Sequence, residues 1–185
     1  SAGMRVVAVG DAGGAVANEG GLDVGALADH VSETGSVAGF AGGEVVPADA
    51  LWDIECELLV PAALGGVITA EVAERLRTKV IVEAANGPTT TDAQPILDRR
   101  GIVVVPDILA NAGGVTASYF EWAQARQGYP WDDDVVAERL RQRMDDAFTA
   151  VWARSQTLGV NMRAAAFVVA VERLAAAHEA RGLFP

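Results

Sequence analysis

The sequence has very few of the side chains that bind metals or form disulfides. Its 185 residues include one cysteine, Cys56, and two histidines, His30 and His178. A single cysteine excludes both an internal disulfide and a thiolate metal cluster. Two widely separated histidines do not supply the ligands of a histidine metal site. We therefore predict no metal site in this chain.

Positive charge and long apolar runs are also scarce. Lysine and arginine together number 14 against 25 acidic residues, which gives a formal net charge of -11. Nucleic acids and anionic membrane surfaces bind to basic faces, so this balance argues against both kinds of partner. The sequence has no run of eighteen apolar residues and no basic-then-apolar leader. From this we expect a cytoplasmic protein.

Short apolar runs alternate with helical patterns along the first part of the chain. Apolar runs predict buried strands at residues 4–9, 58–61, 79–84 and 102–105. Helical spacing predicts a helix over residues 22–31 and another after Thr69, which can cap it. Residues 35–47 hold four glycines and a proline, which predicts a loop. Strands that alternate with helices favour an α/β fold with a mostly parallel sheet.

The last part of the chain is predicted to be helical from Gly113 onward. Residues 132–134 are three aspartates, whose charge suits the N-terminus of a second helix. Gly159 is expected to end that helix, and Asn161 can cap the last one. The prediction is one domain over residues 1–185, with a helical C-terminal extension from about residue 113.

Small and polar residues follow all four predicted strands. They are Gly10 and Asp11, Ala62 and Ala63, Asn86 and Gly87, then Asp107 and residues 111–114. Ligands of open α/β sheets bind outside the carboxyl ends of the strands. Small residues let a flat ligand approach the backbone, and amides or carboxylates can bond to sugar hydroxyls. The pattern predicts an α/β domain that binds a nucleotide or another small molecule.

Each of these residues also has a structural interpretation. Asp11 can cap a turn, and Asn86-Gly87 is a common turn pair. A dinucleotide domain normally opens with a strand and a G-x-G-x-x-G turn, which this sequence does not contain. The residues alone therefore do not identify an enzyme.

Two long segments resemble the glutamate dehydrogenase family. They are VEAANGPTT at residues 82–90 and VVPDILANAGGVTASYFEW at residues 104–122, within a similarity that runs from Arg5 to residues 181–185. Residues 118–122 are the glutamate-type continuation, whereas leucine, valine and phenylalanine dehydrogenases differ after the shared Asn-Ala-Gly-Gly. The resemblance implies a Rossmann-like, doubly wound sheet and NAD or NADP as cofactor. It also implies L-glutamate and 2-oxoglutarate as partners, and a homo-oligomer when full length.

The resemblance implies a cofactor-binding role for five residues. Asp11 would meet the adenosine ribose. Ala62 and Ala63 would let the cofactor pass close to the backbone. Asn86 and Asn111 would hold the nicotinamide-ribose end.

The substrate side is implied by the residues that follow Asn111. Val115 and Ser118 would face the substrate side chain, and the Ser118 hydroxyl would donate to its distal carboxylate. Such a hydroxyl would form a hydrogen bond with the side-chain carboxylate of glutamate, whereas an aliphatic side chain would leave the hydroxyl without a partner. Tyr119, Phe120 and Trp122 are expected to belong to the core of the following helix.

Three features depart from the family. Gly65 and Gly66 stand where it usually has a glutamate and an asparagine, and that asparagine would help to hold the cofactor. The family's first strand and its glycine-rich turn have no counterpart here. The resemblance implies that the catalytic lysine and aspartate lie in a separate N-terminal substrate domain; neither maps onto these residues, and Lys79 is expected on a strand. We therefore predict no catalytic residue in the chain and no activity in isolation.

Two further interpretations stay open at this point. One is a related amino-acid dehydrogenase with another substrate, and the other is a degenerate, non-catalytic module that binds a nucleotide. Asp107 is expected to brace its loop rather than to bind a ligand.

Overall fold

The computed structural model describes residues 3–182. Residues 1–2 and 183–185, which include the end of the segment that resembles glutamate dehydrogenases, lie outside the described part. The elements in chain order are β1 Ala8–Asp11, β2 Gly14–Ala17, α1 Val24–Thr34, β3 Glu44–Val46, a 3-10 helix Ala48–Asp53, β4 Leu58–Leu59, α2 Ala70–Arg75, β5 Val80–Val82, α3 Gln94–Arg99, β6 Val103–Val105, α4 Asp107–Ala110, α5 Ala112–Gln127, α6 Asp133–Leu158 and α7 Met162–Arg181.

Three of the four predicted strands form a parallel sheet in the order β4-β5-β6. Val80 lies between Leu58 and Val103, so the strands run side by side in register. Each strand is shorter than predicted, and Lys79 stands just before β5, with its Nζ 3.1 Å from Glu57 Oε1. The predicted α/β fold with a parallel sheet is thus confirmed for residues 58–105.

Apolar side chains from the sheet and from α2 and α3 form the largest core of this region. Its fully or nearly fully buried members include Ile68, Leu76, Ile81, Leu97 and Val104. α2 begins as predicted, because the hydroxyl of Thr69 accepts the Val72 N–H at 3.3 Å. The core therefore places the carboxyl ends of β4, β5 and β6 along one edge.

The first predicted strand does not join this parallel sheet within the described residues. It forms later than predicted, as β1, and pairs antiparallel with β2, with Val9 opposite Val16. The described residues thus form two sheets instead of the predicted single one, and β1 is antiparallel to its neighbour for a simple reason. Only two residues separate β1 from β2, and a connection that short joins antiparallel neighbours only.

Two strands were not predicted: β2, where the sequence predicted no element, and β3, which lies in a predicted loop. β2 holds the apolar residues Ala15 and Val16, which follow Gly13 and Gly14 and are both completely buried. β3 pairs antiparallel with β2 inside the stretch 35–47. A separate small core packs under this sheet, from Val16, Leu22, Leu27, Val37 and Phe40. Residues 3–182 therefore form one antiparallel and one parallel three-stranded sheet.

The C-terminal helices follow the prediction closely. α5 and α6 end at Gly128 and Gly159, whose φ angles of 66° and 64° are left-handed and favour glycine. α7 begins where Asn161 Oδ1 accepts the Ala164 N–H at 2.9 Å. Helices α4, α6 and α7 share a core of Leu109, Val151, Met162, Ala165 and Ala166, which continues to Val105 of β6.

The helices described between residues 3 and 182 include none with the length and apolar character that a bilayer crossing requires.

Candidate functional site

The carboxyl edge of the parallel sheet is built from three loops that lie against one another. The N–H groups of Ala84 and Ala85 donate to the Pro61 carbonyl at 3.1 and 2.8 Å, which joins the loops after β4 and β5. Further out, the Gly66 N–H donates to the Gly87 carbonyl at 2.8 Å. The loop with Ala62 and Ala63, both exposed, therefore runs beside the Asn86-Gly87 turn.

The glycines of this loop allow the close approach. A Cβ atom at Gly65 would lie 2.9 Å from the Asn86 carbonyl oxygen, which is too close for an ordinary contact. Gly66 has a φ of 69°, a conformation that asparagine tolerates better than other residues with a side chain. The replacement of the family's glutamate by Gly65 thus fits the packing of this chain, and Gly66 retains a backbone suited to asparagine.

Two of the predicted cofactor residues contact each other across the sheet edge. Asn111 Nδ2 donates to Asn86 Oδ1 at 2.9 Å, which links the turn after β5 to the junction of α4 and α5. Asn86 is exposed and Asn111 is half-buried. Among the described residues neither amide has another side-chain bond, so Asn86 Nδ2 and Asn111 Oδ1 can bond to a ligand.

The two predicted substrate residues share a helix face with Asn111. Positions 111, 115 and 118 are separated by four and three residues, a spacing that puts their side chains in one row along α5. Val115 is 71% exposed and Ser118 is also exposed. The exposed side chains of Val115 and Ser118 therefore follow Asn111 on one side of α5.

The predicted core of α5 is only partly correct. Phe120 is buried, as expected, but Tyr119 and Trp122 are 58% and 57% exposed. One side of α5 packs on α6 and α4, and the apolar residues of the helix are not confined to that side. Because an apolar residue was assumed to be buried, the exposed pair was assigned wrongly.

A group of charged side chains, of which Glu83 is buried and the others are partly buried, adjoins the turn that holds Asn86. Glu83, at the end of β5, is completely buried. Its Oε1 accepts from Arg163 Nη2 of α7 at 2.5 Å, and its Oε2 accepts the backbone N–H of Asp107 at 2.9 Å. Arg163 Nη1 also bonds to Asp107 Oδ1 at 3.1 Å, and its Nε to Gln94 Oε1 at 3.1 Å. A single arginine thus joins the ends of two strands to the last helix.

Asp107 carries this arrangement into the turn that holds Asn86. Its Oδ2 accepts the Gly87 N–H at 2.7 Å. Burial raises the pKa of Asp107, but the N–H groups of Gly87 and Ile108 and the charge of Arg163 outweigh it. The pKa lies below its ordinary value, so the group is a carboxylate at neutral pH. The prediction that Asp107 braces its loop is confirmed.

Asp11 lies away from this edge, in the turn between β1 and β2. Its carboxylate accepts N–H bonds from Val37 at 2.7 Å, Gly13 at 2.8 Å and Gly14 at 3.2 Å, and the Ser36 hydroxyl at 3.0 Å. The bond from Val37 contributes most to a pKa below the ordinary value, against a smaller opposing effect of burial. Within the described residues, Asp11 contacts none of the other candidates.

Sequence reasoning missed Glu83 and Arg163. One signal was present: Arg163 lies in the first turn of α7, where the helix dipole disfavours a positive charge. An arginine in that position indicates a carboxylate partner elsewhere in the fold. Glu83, the buried partner of Arg163, directly follows the last residue of β5.

Comparison with known proteins places these residues in a wider group. The profile of the family "Glutamate/Leucine/Phenylalanine/Valine dehydrogenase" matches residues 1–182. The chain is 48% identical over 183 residues to a glutamate dehydrogenase of Thermotoga maritima. It is 49% identical to NADP-specific glutamate dehydrogenase A1 of Halobacterium salinarum and 42% identical to an NAD-specific glutamate dehydrogenase of Staphylococcus aureus.

Solved structures agree with these relatives. The hetero-hexameric glutamate dehydrogenase of Thermus thermophilus, in its leucine-bound form, superposes with a TM-score of 0.88 at 34% identity over 99% of this chain. The glutamate dehydrogenase of Peptoniphilus asaccharolyticus superposes with a TM-score of 0.80 at 33% identity over 98% of the chain. In each of these five comparisons this chain spans less than half of the relative, between 42% and 44% of its length.

Proposed function

The chain belongs to the Glutamate/Leucine/Phenylalanine/Valine dehydrogenase family, and from this premise we propose that it is the nucleotide-binding part of a glutamate dehydrogenase. The observation that carries the proposal is the Asn86–Asn111 pair, which stands beside the exposed row of Val115 and Ser118. The pair offers amide groups to a cofactor, and the row offers one apolar group and one hydroxyl to a substrate.

The proposed reaction is the reversible oxidative deamination of L-glutamate. L-Glutamate, water and NAD(P)⁺ become 2-oxoglutarate, ammonium and NAD(P)H, with release of one proton. When bound, the dinucleotide accepts the hydride from the α-carbon. Residues of this chain bind and orient the two reactants. The groups that transfer protons are proposed to belong to a separate substrate domain, so the chain by itself is inactive.

Each predicted cofactor residue has a physical reason for its role. Asn86 and Asn111 each have amide atoms available for a sugar or carboxamide group. The exposed Ala62 and Ala63 present no side chain beyond Cβ, so a flat ligand could approach the backbone of their loop. Asp11 would accept from ribose hydroxyls through Oδ2, which accepts one bond, from the Val37 N–H, among the described residues. NAD and NADP both remain candidates, since close relatives are named as specific for either one.

Glutamate is favoured as substrate by the hydroxyl of Ser118. An exposed hydroxyl next to an apolar Val115 suits a side chain with a methylene stem and a terminal carboxylate. All five relatives named above are glutamate dehydrogenases by name, and the sequence from Ser118 to Trp122 resembles the glutamate-type continuation. A homo-oligomeric full-length enzyme and a cytoplasmic location remain predictions.

A Rossmann-like, doubly wound sheet is the proposed architecture of the longer protein. A cleft of about 910 Å³ lies between residues 3–7, which lead into β1, and residues 55–58, which lead into β4. The edges of β1 and β4 that face away from β2 and β5 are unpaired within the described residues. An additional parallel strand between them would join both sheets into one and satisfy the backbone groups of both edges.

A chimeric enzyme tests the function directly. The N-terminal part of the Thermotoga maritima relative, which this chain does not match, would be joined to residues 1–185 in place of its own C-terminal part. We expect reduction of NAD⁺ or NADP⁺ that depends on L-glutamate, with leucine, valine and phenylalanine as poor substrates. Ser118→Ala should lower kcat/KM for glutamate about 10-fold or more, because it removes one bond to the carboxylate.

Two results would contradict the proposal in different ways. A folded chimera that prefers leucine or phenylalanine would show a related dehydrogenase with another substrate. A folded chimera that binds a dinucleotide without turnover of any of the four amino acids would show a module that binds but does not support catalysis.

A further inference from the structure

We propose that Arg163 is a positioning residue for the cofactor edge: it holds Glu83 and Asp107 together and thereby keeps the Asn86–Asn111 pair in one arrangement. The inference rests on the proposed function where it concerns the cofactor. The positioning itself is a property of the chain that can be measured without any ligand.

The contacts form a continuous path from α7 to the asparagine pair. Arg163 binds Glu83 at 2.5 Å and Asp107 at 3.1 Å, and the carboxylate of Glu83 also fixes the backbone N–H of Asp107. Asp107 then binds the N–H of Gly87, the neighbour of Asn86, at 2.7 Å. On the other side, Asp107 opens α4, whose last turn leads into Asn111.

Both asparagines are therefore anchored through the same aspartate. The Asn111 N–H donates to the Asp107 carbonyl at 2.9 Å, and the Gly87 N–H to its carboxylate. If the carboxylate of Asp107 rotates away from the Gly87 N–H, the turn that holds Asn86 is no longer tied to the start of α4 and hence to Asn111. Arg163 and Glu83 restrict that motion, because they hold the side chain and the backbone N–H of Asp107 at once.

Among the residues that the structure describes, no other ion pair has a completely buried carboxylate: Arg75 also contacts two carboxylates, but Asp49 and Asp53 are 74% and 51% exposed. The pairs Arg77–Glu55, Arg99–Glu74 and Arg141–Glu138 all join side chains that are more than half exposed. Arg163 is 23% exposed and its partner Glu83 is 0% exposed. Arg163 also stands at a helix N-terminus, where its charge is disfavoured unless carboxylates compensate it. This position is therefore unfavourable for an arginine without partners, and the carboxylates of Glu83 and Asp107 compensate for it.

Arg154 provides a matched control. It also joins α7 to another element, through an ion pair with Glu172, but both side chains are at least one third exposed and the pair lies between α6 and α7. Arg154→Met and Arg163→Met thus remove the same group from two pairs that involve α7. Only the contacts of Arg163 lie on the path to Asn86 and Asn111.

The first measurement uses the ¹⁵N-labelled 185-residue chain without ligand. In Arg163→Met we expect the backbone signal of Gly87 and the side-chain NH₂ signals of Asn111 to shift or to split into several. Signals of Ile81 and Val104 in the core should stay in place and show that the variant is folded. Arg163→Lys keeps the charge but not the planar guanidinium group that spans two carboxylates. We therefore expect it to shift the same signals less than Arg163→Met does. Arg154→Met should leave Gly87 and Asn111 unchanged.

The second measurement is the dissociation constant of NADH and of NADPH, from the fluorescence of the nicotinamide ring. Whichever cofactor the wild-type chain binds, we expect Arg163→Met to raise the constant about 10-fold, Arg163→Lys to raise it less, and Arg154→Met to leave it unchanged.

The outcomes separate this proposal from the proposed function. If Gly87 and Asn111 keep their wild-type signals in folded Arg163→Met, the positioning role is overturned, whatever the affinity. If the signals change but the affinity does not, the link to the cofactor is overturned. If the wild-type chain binds neither dinucleotide, the cofactor role fails, and the signals alone still decide whether Arg163 positions the pair.

Discussion

The two sheets of this protein hold their acidic side chains in opposite ways. In the antiparallel sheet, Asp11 is satisfied by neutral donors from its own neighbourhood, up to 26 residues away. In the parallel sheet, Glu83 and Asp107 depend on Arg163, which lies 80 and 56 residues further along the chain. The first arrangement belongs to one small folding unit, whereas the second exists only when α7 has docked.

This difference bears on where binding sites can be made. The β1–β2 turn is self-contained, so it can present Asp11 without help from the rest of the chain. The edge of the parallel sheet is assembled from three loops and a distant helix, and all of them must be in place before Asn86 and Asn111 meet. Changes at α7 should therefore reach the candidate site, while changes at the hairpin should stay local.

Removal of the distant arginine should have the largest effect on stability. Arg163→Met leaves the buried Glu83 without its ion-pair partner, which we expect to lower the free energy of unfolding by about 3–5 kcal/mol. Arg154→Met, at the more exposed pair, should cost less than about 1 kcal/mol. Urea unfolding followed by circular dichroism gives both values. Equal losses of unfolding free energy for the two variants would show that the ion pair with the buried Glu83 contributes no more to stability than the more exposed Arg154–Glu172 pair.

A methyl group at the loop contact should have the next largest effect. In Gly65→Ala the added Cβ would lie 2.9 Å from the Asn86 carbonyl oxygen, so the loop must shift. The expected loss is about 1–3 kcal/mol of unfolding free energy. Gly66→Asn is the control, because it fits a left-handed backbone and restores the family's amide. We expect it to cost less than about 1 kcal/mol and to strengthen cofactor binding. If Gly65→Ala is as stable as wild type, the two loops are not packed as described.

The asparagine pair itself should matter for binding more than for folding. Asn111→Ala removes its bond to Asn86 and one proposed cofactor contact, and we expect an about 10-fold weaker dinucleotide affinity. Its melting temperature should remain close to that of wild type, since the Asn86 side chain is exposed and can bond to water. Calorimetric titration and thermal unfolding measure the two effects. A large loss of stability with unchanged dinucleotide affinity would show that the asparagine pair stabilises the fold and does not bind the cofactor.

The pH dependence of the hairpin should be the smallest effect. The pKa of Asp11 is lowered in the folded state, so its carboxylate stabilises the fold above its ordinary pKa. That contribution is lost as the pH falls through the lowered value, in a window from about pH 4 downward. The difference in unfolding free energy between wild type and Asp11→Asn should therefore shrink as the pH falls through this window. A difference that is constant from neutral to acidic pH would contradict the assigned bonds.

Local signals explain which parts of the fold could be predicted. Thr69 and Asn161 were predicted to cap helices, and Gly159 to end one, because these effects depend on residues within a few positions. β2 and β3 were missed because their pairing joins segments about 30 residues apart through glycine-rich stretches. Nothing in Glu44–Val46 alone distinguishes a strand from a loop.

The candidate site could be predicted from the residues at the strand ends, but the charged side chains that support it could not. The rule that ligands bind at the carboxyl edge identified Asn86 and Asn111, and they do contact each other. Glu83 and Arg163 were missed because a buried ion pair between positions 80 residues apart leaves only the unusual arginine at a helix start as a signal. Tyr119 and Trp122 were assigned to the core because an apolar pattern does not reveal which side of a helix is packed.

The most direct test of the account is a titration of the ¹⁵N-labelled chain with NADH and with NADPH. The account predicts that one or both shift the signals of residues 62–66, 86–87 and 111–118 together, with Asp11 and its hairpin as a second affected group. Shifts confined to the hairpin, or no shifts in a folded chain at millimolar cofactor concentration, would contradict the claim that the edge of the parallel sheet is the cofactor site.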